Sequence, residues 1–282
     1  MKMRKYLAVQ WIQFTLVIMS ISLCSSSYAQ DTNFHIYLCF GQSNMEGQGI
    51  IEKEDHQADS RFLMMQATDC PDLGRAKDNW YEATPPICRC DTYLSPLDYF
   101  GRTMLKNLGD SITVGVINVA VGGCDIRLFD KDIYEDFDST YVEDWFLSKV
   151  AAYEHNPYDF LISMAKKAQK RGVIKGILLH QGETNIGDEQ WPNYVDKIYK
   201  DLMSDLSLDP SQVPLLAGEL VSVENSCCSS MNTIINKLPE IIETAHIISS
   251  KDCTAMDKAH FDSAGYRLLG KRYAYKMLSL SK

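Results

Sequence analysis

The sequence is short of positive charge. Its 282 residues hold 28 Lys and Arg against 37 Asp and Glu. Without the three basic residues of the first thirty, 25 basic face 37 acidic residues, net −12. A surface of that sign repels phosphate backbones and anionic headgroups, which argues against nucleic acid and anionic membrane as partners and fits a neutral or weakly charged ligand. A second apolar stretch of membrane-spanning length is also missing after Tyr6–Leu23, itself broken by Gln10 and Gln13. No internal repeat, low-complexity linker or compositional break divides the rest, so residues 30–282 read as one large domain. Cysteine is plentiful, but the C-x-x-C spacing of a zinc site is not there. Cys88-Arg89-Cys90 and Cys227-Cys228 are too tightly spaced, with no histidine nearby, so neither a metal nor another cofactor is expected.

The first 29 residues have the layout of a signal peptide. Lys2, Arg4 and Lys5 precede the apolar run, and Ser27-Tyr28-Ala29 supplies small residues for cleavage after Ala29. Export to a periplasmic or extracellular compartment follows, without stable membrane insertion once the leader is cut. A retained anchor ranks second. Lipid attachment at Cys24 ranks third, because Leu23 is bulkier than such signals carry. Eight of the nine cysteines remain after cleavage, and an oxidising compartment favours structural disulfides among them. Cys39, inside an apolar run, reads as a buried free thiol. Connectivity stays open.

Strand and helix patterns alternate along the chain. Ile36–Phe40, Ile112–Val121, Val173–Leu179, Val213–Ala217 and Ala245–Ser249 are apolar runs of strand length. Helices are predicted over Pro96–Leu108, Pro157–Gln169, Trp191–Leu206, Met231–Leu238 and from a cap at Asp262 to Leu280. Gln48–Ser95 is turn-rich and aperiodic, a long loop that Cys70, Cys88 and Cys90 could tie down. Phe129–Trp145 is acidic and aromatic. This alternation predicts an α/β fold with a mostly parallel sheet covered on both faces.

Four polar clusters fall at strand ends: Gly41-Gln42-Ser43-Asn44-Met45, Gly122-Gly123, His180-Gln181-Gly182-Glu183 and Asp257-Lys258-Ala259-His260. In a parallel sheet all carboxyl ends share one edge, so clusters distant in sequence meet there. A serine just past a strand and behind a glycine is placed as a nucleophile. Met45 stands where the second glycine of a G-x-S-x-G elbow would be. Nucleophile, base, acid and oxyanion donors are the parts that acyl transfer needs.

Taken in order, these blocks resemble the sialate O-acetylesterase and acetylxylan esterase family of SGNH-type hydrolases, from Gly41 to His260. The resemblance implies a three-layer α/β/α, flavodoxin-like sandwich and a carbohydrate esterase that removes O-acetyl groups through an acetyl-enzyme, with an acetylated carbohydrate as partner. It assigns Ser43 as nucleophile and His260 as base. The oxyanion hole maps to the Ser43 N–H, a glycine of Gly122-Gly123 and the Gln181 side chain. It supports two carboxylates, Asp257 and Glu183, that share the orientation of His260, with the dominant one left open, while His180 reads as a structural partner. Cys124 stands where the family often has threonine, and Leu179 where it often has an aromatic residue. The competing class is a carbohydrate-binding protein that keeps the fold without activity.

Overall fold

The computed structural model describes residues 30–137 and 143–280. The expected leader lies outside them, as does part of the acidic segment between Phe129 and Trp145. Seven strands form one sheet: β1 (Asp31–Gly41), β2 (Phe62–Met65), β3 (Trp80–Glu82), β4 (Thr113–Ala120), β5 (Gly172–His180), β6 (Leu215–Gly218) and β7 (Ala245–Ile248), in the order β3-β2-β4-β1-β5-β6-β7. Every neighbouring pair is parallel except β2–β3. β1 is central because its Ile36–Gly41 half is apolar on both faces and must be covered on both.

The helices are α1 (Ser43–Glu46), α2 (Pro96–Asn107), α3 (Asp144–Ala151), α4 (Pro157–Ala168), α5 (Trp191–Asp205), α6 (Asn232–Ile235), α7 (Leu238–Ile241) and α8 (Ser263–Leu280). α2 and α8 pack together on one face of the sheet, where Tyr37 of β1 meets Phe100 of α2 edge-on at 4.8 Å. α4 covers the other face, where Phe40 meets Phe129 at 5.2 Å. Three positions apart on a strand, Tyr37 and Phe40 point to opposite faces, which makes the fold a three-layer α/β/α sandwich.

Local chemistry sets the helix ends. Ser95 Oγ accepts from Leu97 N at 3.2 Å while Asp98 Oδ2 accepts from Ser95 N at 3.2 Å, a capping box ahead of Pro96. Asp262 Oδ1 accepts from Gly265 N at 2.8 Å and so opens α8. The single helix expected over Met231–Leu238 is instead two short turns. Pro239 has no N–H to continue the ladder of α6, and the chain restarts at Leu238 as α7.

β2 and β3 lie inside the region read as irregular. Phe62-Leu63-Met64-Met65 has no alternation and β3 is a three-residue edge, so pairing with β4, rather than local pattern, makes them strands. The Cys70–Cys90 disulfide fastens this region, and Arg75 donates to Thr84 O at 3.0 Å and Pro86 O at 2.8 Å. Cys88 takes no part and is a buried free thiol, as is Cys39, whereas Cys227 and Cys228 bond to each other. β4 and β5 flank β1 on opposite sides. The carboxyl ends of all three therefore open onto one crevice.

Candidate active site

β1 ends at Gly41, whose φ is 147° and where a Cβ would stand 2.1 Å from His180 O. Only glycine lets β1 run this close to the end of β5. Gln42 N donates to His180 O at 3.0 Å, and Gln42 O accepts from Met45 N at 2.8 Å and Glu46 N at 2.9 Å. The chain thus turns at once into α1, with Ser43 at its first position.

The second half of the site is the loop before α8. Asp257 Oδ1 accepts from Ala259 N and His260 N, both at 2.7 Å, an Asx-type turn that folds residues 257–260 back on themselves. Asp257 Oδ2 accepts from His260 Nδ1 at 2.9 Å, and Ser43 Oγ lies 2.9 Å from His260 Nε2. With the proton on Nδ1 held by the carboxylate, Nε2 keeps the lone pair that the Ser43 hydroxyl can donate to. Burial pushes the Asp257 carboxyl up, but the hydrogen bonds from His260 Nδ1 and the two backbone N–H groups outweigh it and hold it below the usual carboxylate range. Such an arrangement can remove a proton from the serine and return it to a leaving group.

The donors sort differently from the sequence expectation. Gly122 N donates to Glu46 Oε1 at 2.6 Å and is not free for an oxyanion. Gln181 is fully buried: its Nε2 donates to Cys124 O at 3.1 Å and Asn185 Oδ1 at 2.7 Å, and its Oε1 accepts from Trp191 Nε1. Both amide hydrogens are consumed, so Gln181 is a core brace rather than an oxyanion donor. Ser43 N and Gly123 N, by contrast, donate to no protein group among the described residues. Glu183 does not reach His260 either. Its Oε1 accepts from Asn44 Nδ2 at 2.6 Å, which leaves Asp257 as the carboxylate on the imidazole. His180 is buried, its Nε2 donates to Glu219 O at 3.1 Å, and burial lowers its pKa.

Residues 33–279 match the family described as carbohydrate esterase, sialic acid-specific acetylesterase. The chain belongs to this carbohydrate esterase family.

A probable carbohydrate esterase of Arabidopsis thaliana, At4g34215, is 25% identical over 203 residues, 66% of this chain and 69% of that protein. Its crystal structure superposes with a TM-score of 0.64 at 21% identity, covering 88% of this chain and 99% of that one. NanS gives 0.62 at 15% identity, with 89% and 98% covered. XAC1771, a carbohydrate acetylesterase from Xanthomonas citri, gives 0.59 at 16% identity, with 85% and 55% covered. These likenesses show the same fold. The two departures from the esterase pattern, Cys124 and Leu179, are both buried in the core.

Sequence reasoning on this esterase chain missed Asn44, Glu46 and Arg89. Asn44 Nδ2 also donates to Ala259 O at 2.8 Å, and its Oδ1 accepts from Phe261 N at 3.3 Å and Tyr266 Oη at 2.6 Å. It therefore holds both neighbours of His260 from the residue beside Ser43. Two polar residues flanking Met45 directly after the Ser43 turn were the available signal; Arg89, in an aperiodic loop, offered none. Asp130, Asp132 and Asp201 converge within 4.8 Å, and the cation they meet is the Lys197 ammonium, at 2.7, 2.7 and 2.9 Å.

Proposed function

We propose that this carbohydrate esterase is a serine enzyme that removes O-acetyl groups from glycans through an acetyl-enzyme. Ser43 Oγ attacks the acetyl carbonyl as His260 Nε2 takes its proton, and Asp257 holds the imidazole in the required tautomer. The Ser43 and Gly123 N–H groups, otherwise unused, receive the oxyanion. His260 then returns the proton to the departing sugar oxygen, and water releases acetate by the same steps in reverse. The observation that carries this reading is the unbroken Ser43–His260–Asp257 chain at 2.9 Å per link, in a chain of an esterase family.

Two exposed side chains support a sugar as the alcohol. Tyr93 sits on a segment whose N–H donates to Gly47 O just after α1, and Met256 on one whose N–H donates to His260 O. Both expose apolar surface on segments tied by backbone hydrogen bonds to the loops of the site, and an exposed aromatic ring such as Tyr93 suits the C–H face of a pyranose. Export is part of the proposal: residues 1–29 have the leader pattern, and the Cys70–Cys90 and Cys227–Cys228 disulfides fit an oxidising compartment.

Hydrolysis of p-nitrophenyl acetate, and acetate release from a panel of acetylated xylan and O-acetylated sialic acids, should occur with the wild type and vanish in Ser43→Ala at unchanged thermal stability. Turnover by Ser43→Ala would overturn the nucleophile. Glycan binding without turnover by the wild type would favour the non-catalytic reading.

A further inference from the structure

The loop that carries Gly122 and Gly123 is gripped from beneath by a carboxylate on the same helical turn as Ser43. Glu46 closes α1 and is fully buried. Its Oε1 accepts from Gly122 N at 2.6 Å and Arg89 Nη2 at 2.7 Å; its Oε2 accepts from Lys149 Nζ at 3.0 Å and Gln48 Nε2 at 3.4 Å. Arg89 is buried too. Its Nη1 donates to Ala120 O, the last residue of β4, at 2.8 Å and to Tyr153 Oη at 3.2 Å, while Asp91 meets its Nε at 3.4 Å from the solvent side. A Cβ on Gly122 would lie 2.5 Å from Lys149 Nζ and 2.6 Å from Glu46 Oε2, so a side chain there would displace this ion pair.

Stability alone does not account for these charges. Apolar residues of similar volume usually hold two elements together as well as a buried ion pair does. Neutral ties are also present nearby: Asn118 Nδ2 donates to Met45 O at 2.9 Å, joining β4 to α1, and Val121 N to Gly41 O at 2.9 Å, joining the ends of β4 and β1. What the ionised group adds is a strong, directed acceptor for one backbone N–H next to the reacting centre.

We propose that Glu46, fixed by Arg89 and Lys149, is a positioning residue for the oxyanion hole. By taking Gly122 N–H it sets the peptide that enters the Gly122–Gly123 turn and leaves Gly123 N–H as the donor beside Ser43 N–H. The inference rests on the esterase reading above. It also gives the long Gln48–Ser95 region a task, delivery of Arg89 under the turn, with the Cys70–Cys90 disulfide next to it in sequence.

The test compares wild type, Glu46→Leu, and Glu46→Gln/Lys149→Met, the last removing one charge of each sign while keeping an oxygen at position 46. Losing one oxyanion donor costs roughly 10²–10³ in kcat in a serine enzyme. Glu46→Leu should show a loss of that order with KM within about twofold, and the double variant about tenfold. Affinity for phenylboronic acid, which forms a tetrahedral adduct on the serine, should fall in step with kcat. The acid limb of the pH profile should stay in place, because Glu46 touches neither His260 nor Asp257. Glu46→Leu with wild-type kcat, or a kcat loss with unchanged boronate affinity, would overturn the inference. If that variant fails to fold, the double variant decides by the same two readings. If the wild type hydrolyses no acetyl ester, the esterase reading and this inference fall together; an active wild type with equally active Glu46 variants sinks this inference alone.

Discussion

Asn44→Ala tests how the two halves of the site are joined. The amide makes four hydrogen bonds: to Glu183 at 2.6 Å, Ala259 O at 2.8 Å, Tyr266 Oη at 2.6 Å and Phe261 N at 3.3 Å. At about 1 kcal/mol net for each bond, the loss is about 4 kcal/mol. Tyr266 is fully buried, and its stranded hydroxyl adds about 1–2 kcal/mol. A change of 1 kcal/mol moves Tm by about 2–4 °C in a domain of 150–250 residues, so Tm should drop by about 10–20 °C. Function should suffer separately, because Ala259 and Phe261 bracket His260. Measured well below the lowered Tm, kcat should fall roughly 10–100-fold as the imidazole loses its fixed approach to Ser43. Asn44→Asp should be worse still, since it sets a second carboxylate against Glu183 Oε1 where a donor now stands. Calorimetry and steady-state kinetics on the purified variants read both effects. A Tm within 3 °C of wild type, or kcat unchanged in a destabilised Asn44→Ala, would refute the claim that this side chain ties base to nucleophile.

Asp257→Asn should lose about 10⁴ in kcat, as a wrong tautomer does in a serine triad, whereas Glu183→Gln keeps an oxygen for Asn44 Nδ2 and should stay within about tenfold. The reverse ranking in kinetics would return the acid role to Glu183. Because its folded pKa is lowered, Asp257 contributes stability that is present above the unfolded carboxylate pKa and is lost as pH falls through the folded value. Asp257→Asn should lack that acid-side loss in thermal melts. Asp98 behaves in the opposite sense. Complete burial raises its carboxyl to about 7, and its Oδ1 has no hydrogen-bond partner among the described residues. The folded state therefore holds a proton that the unfolded chain releases near pH 4, and stability falls as pH rises from about 4 to about 7. Asp98→Asn should flatten that decline, by on the order of 2–4 kcal/mol; melts with the same slope as wild type would refute it.

Features that depend on near neighbours were legible in the sequence. The apolar Ile36–Phe40 run specifies a two-sided strand, and Gly41 permits the turn that presents Ser43. Ser95 and Asp262 cap helices within four residues of themselves. Asp257 and His260 find each other because a three-residue turn closes through the Asp257 carboxylate, so this pairing needs no other part of the chain. Tertiary structure decided where the remaining polar groups spend their hydrogen bonds. Glu183 had the charge to serve His260, but its Oε1 accepts from Asn44, 139 residues away in sequence, and its buried Oε2 meets no partner among the described residues. Gln181 and Gly122 had the right chemistry for an oxyanion, but Cys124, Asn185 and Trp191 saturate one and Glu46 the other. Cys90 chose Cys70 over the nearer Cys88, and Arg89 found Glu46 from inside a stretch without periodicity. Hydrogen-bond and disulfide capacity is fixed by residue type. Which partner fills it is set by distances of about 3 Å that exist only once the strands have brought remote segments to one edge.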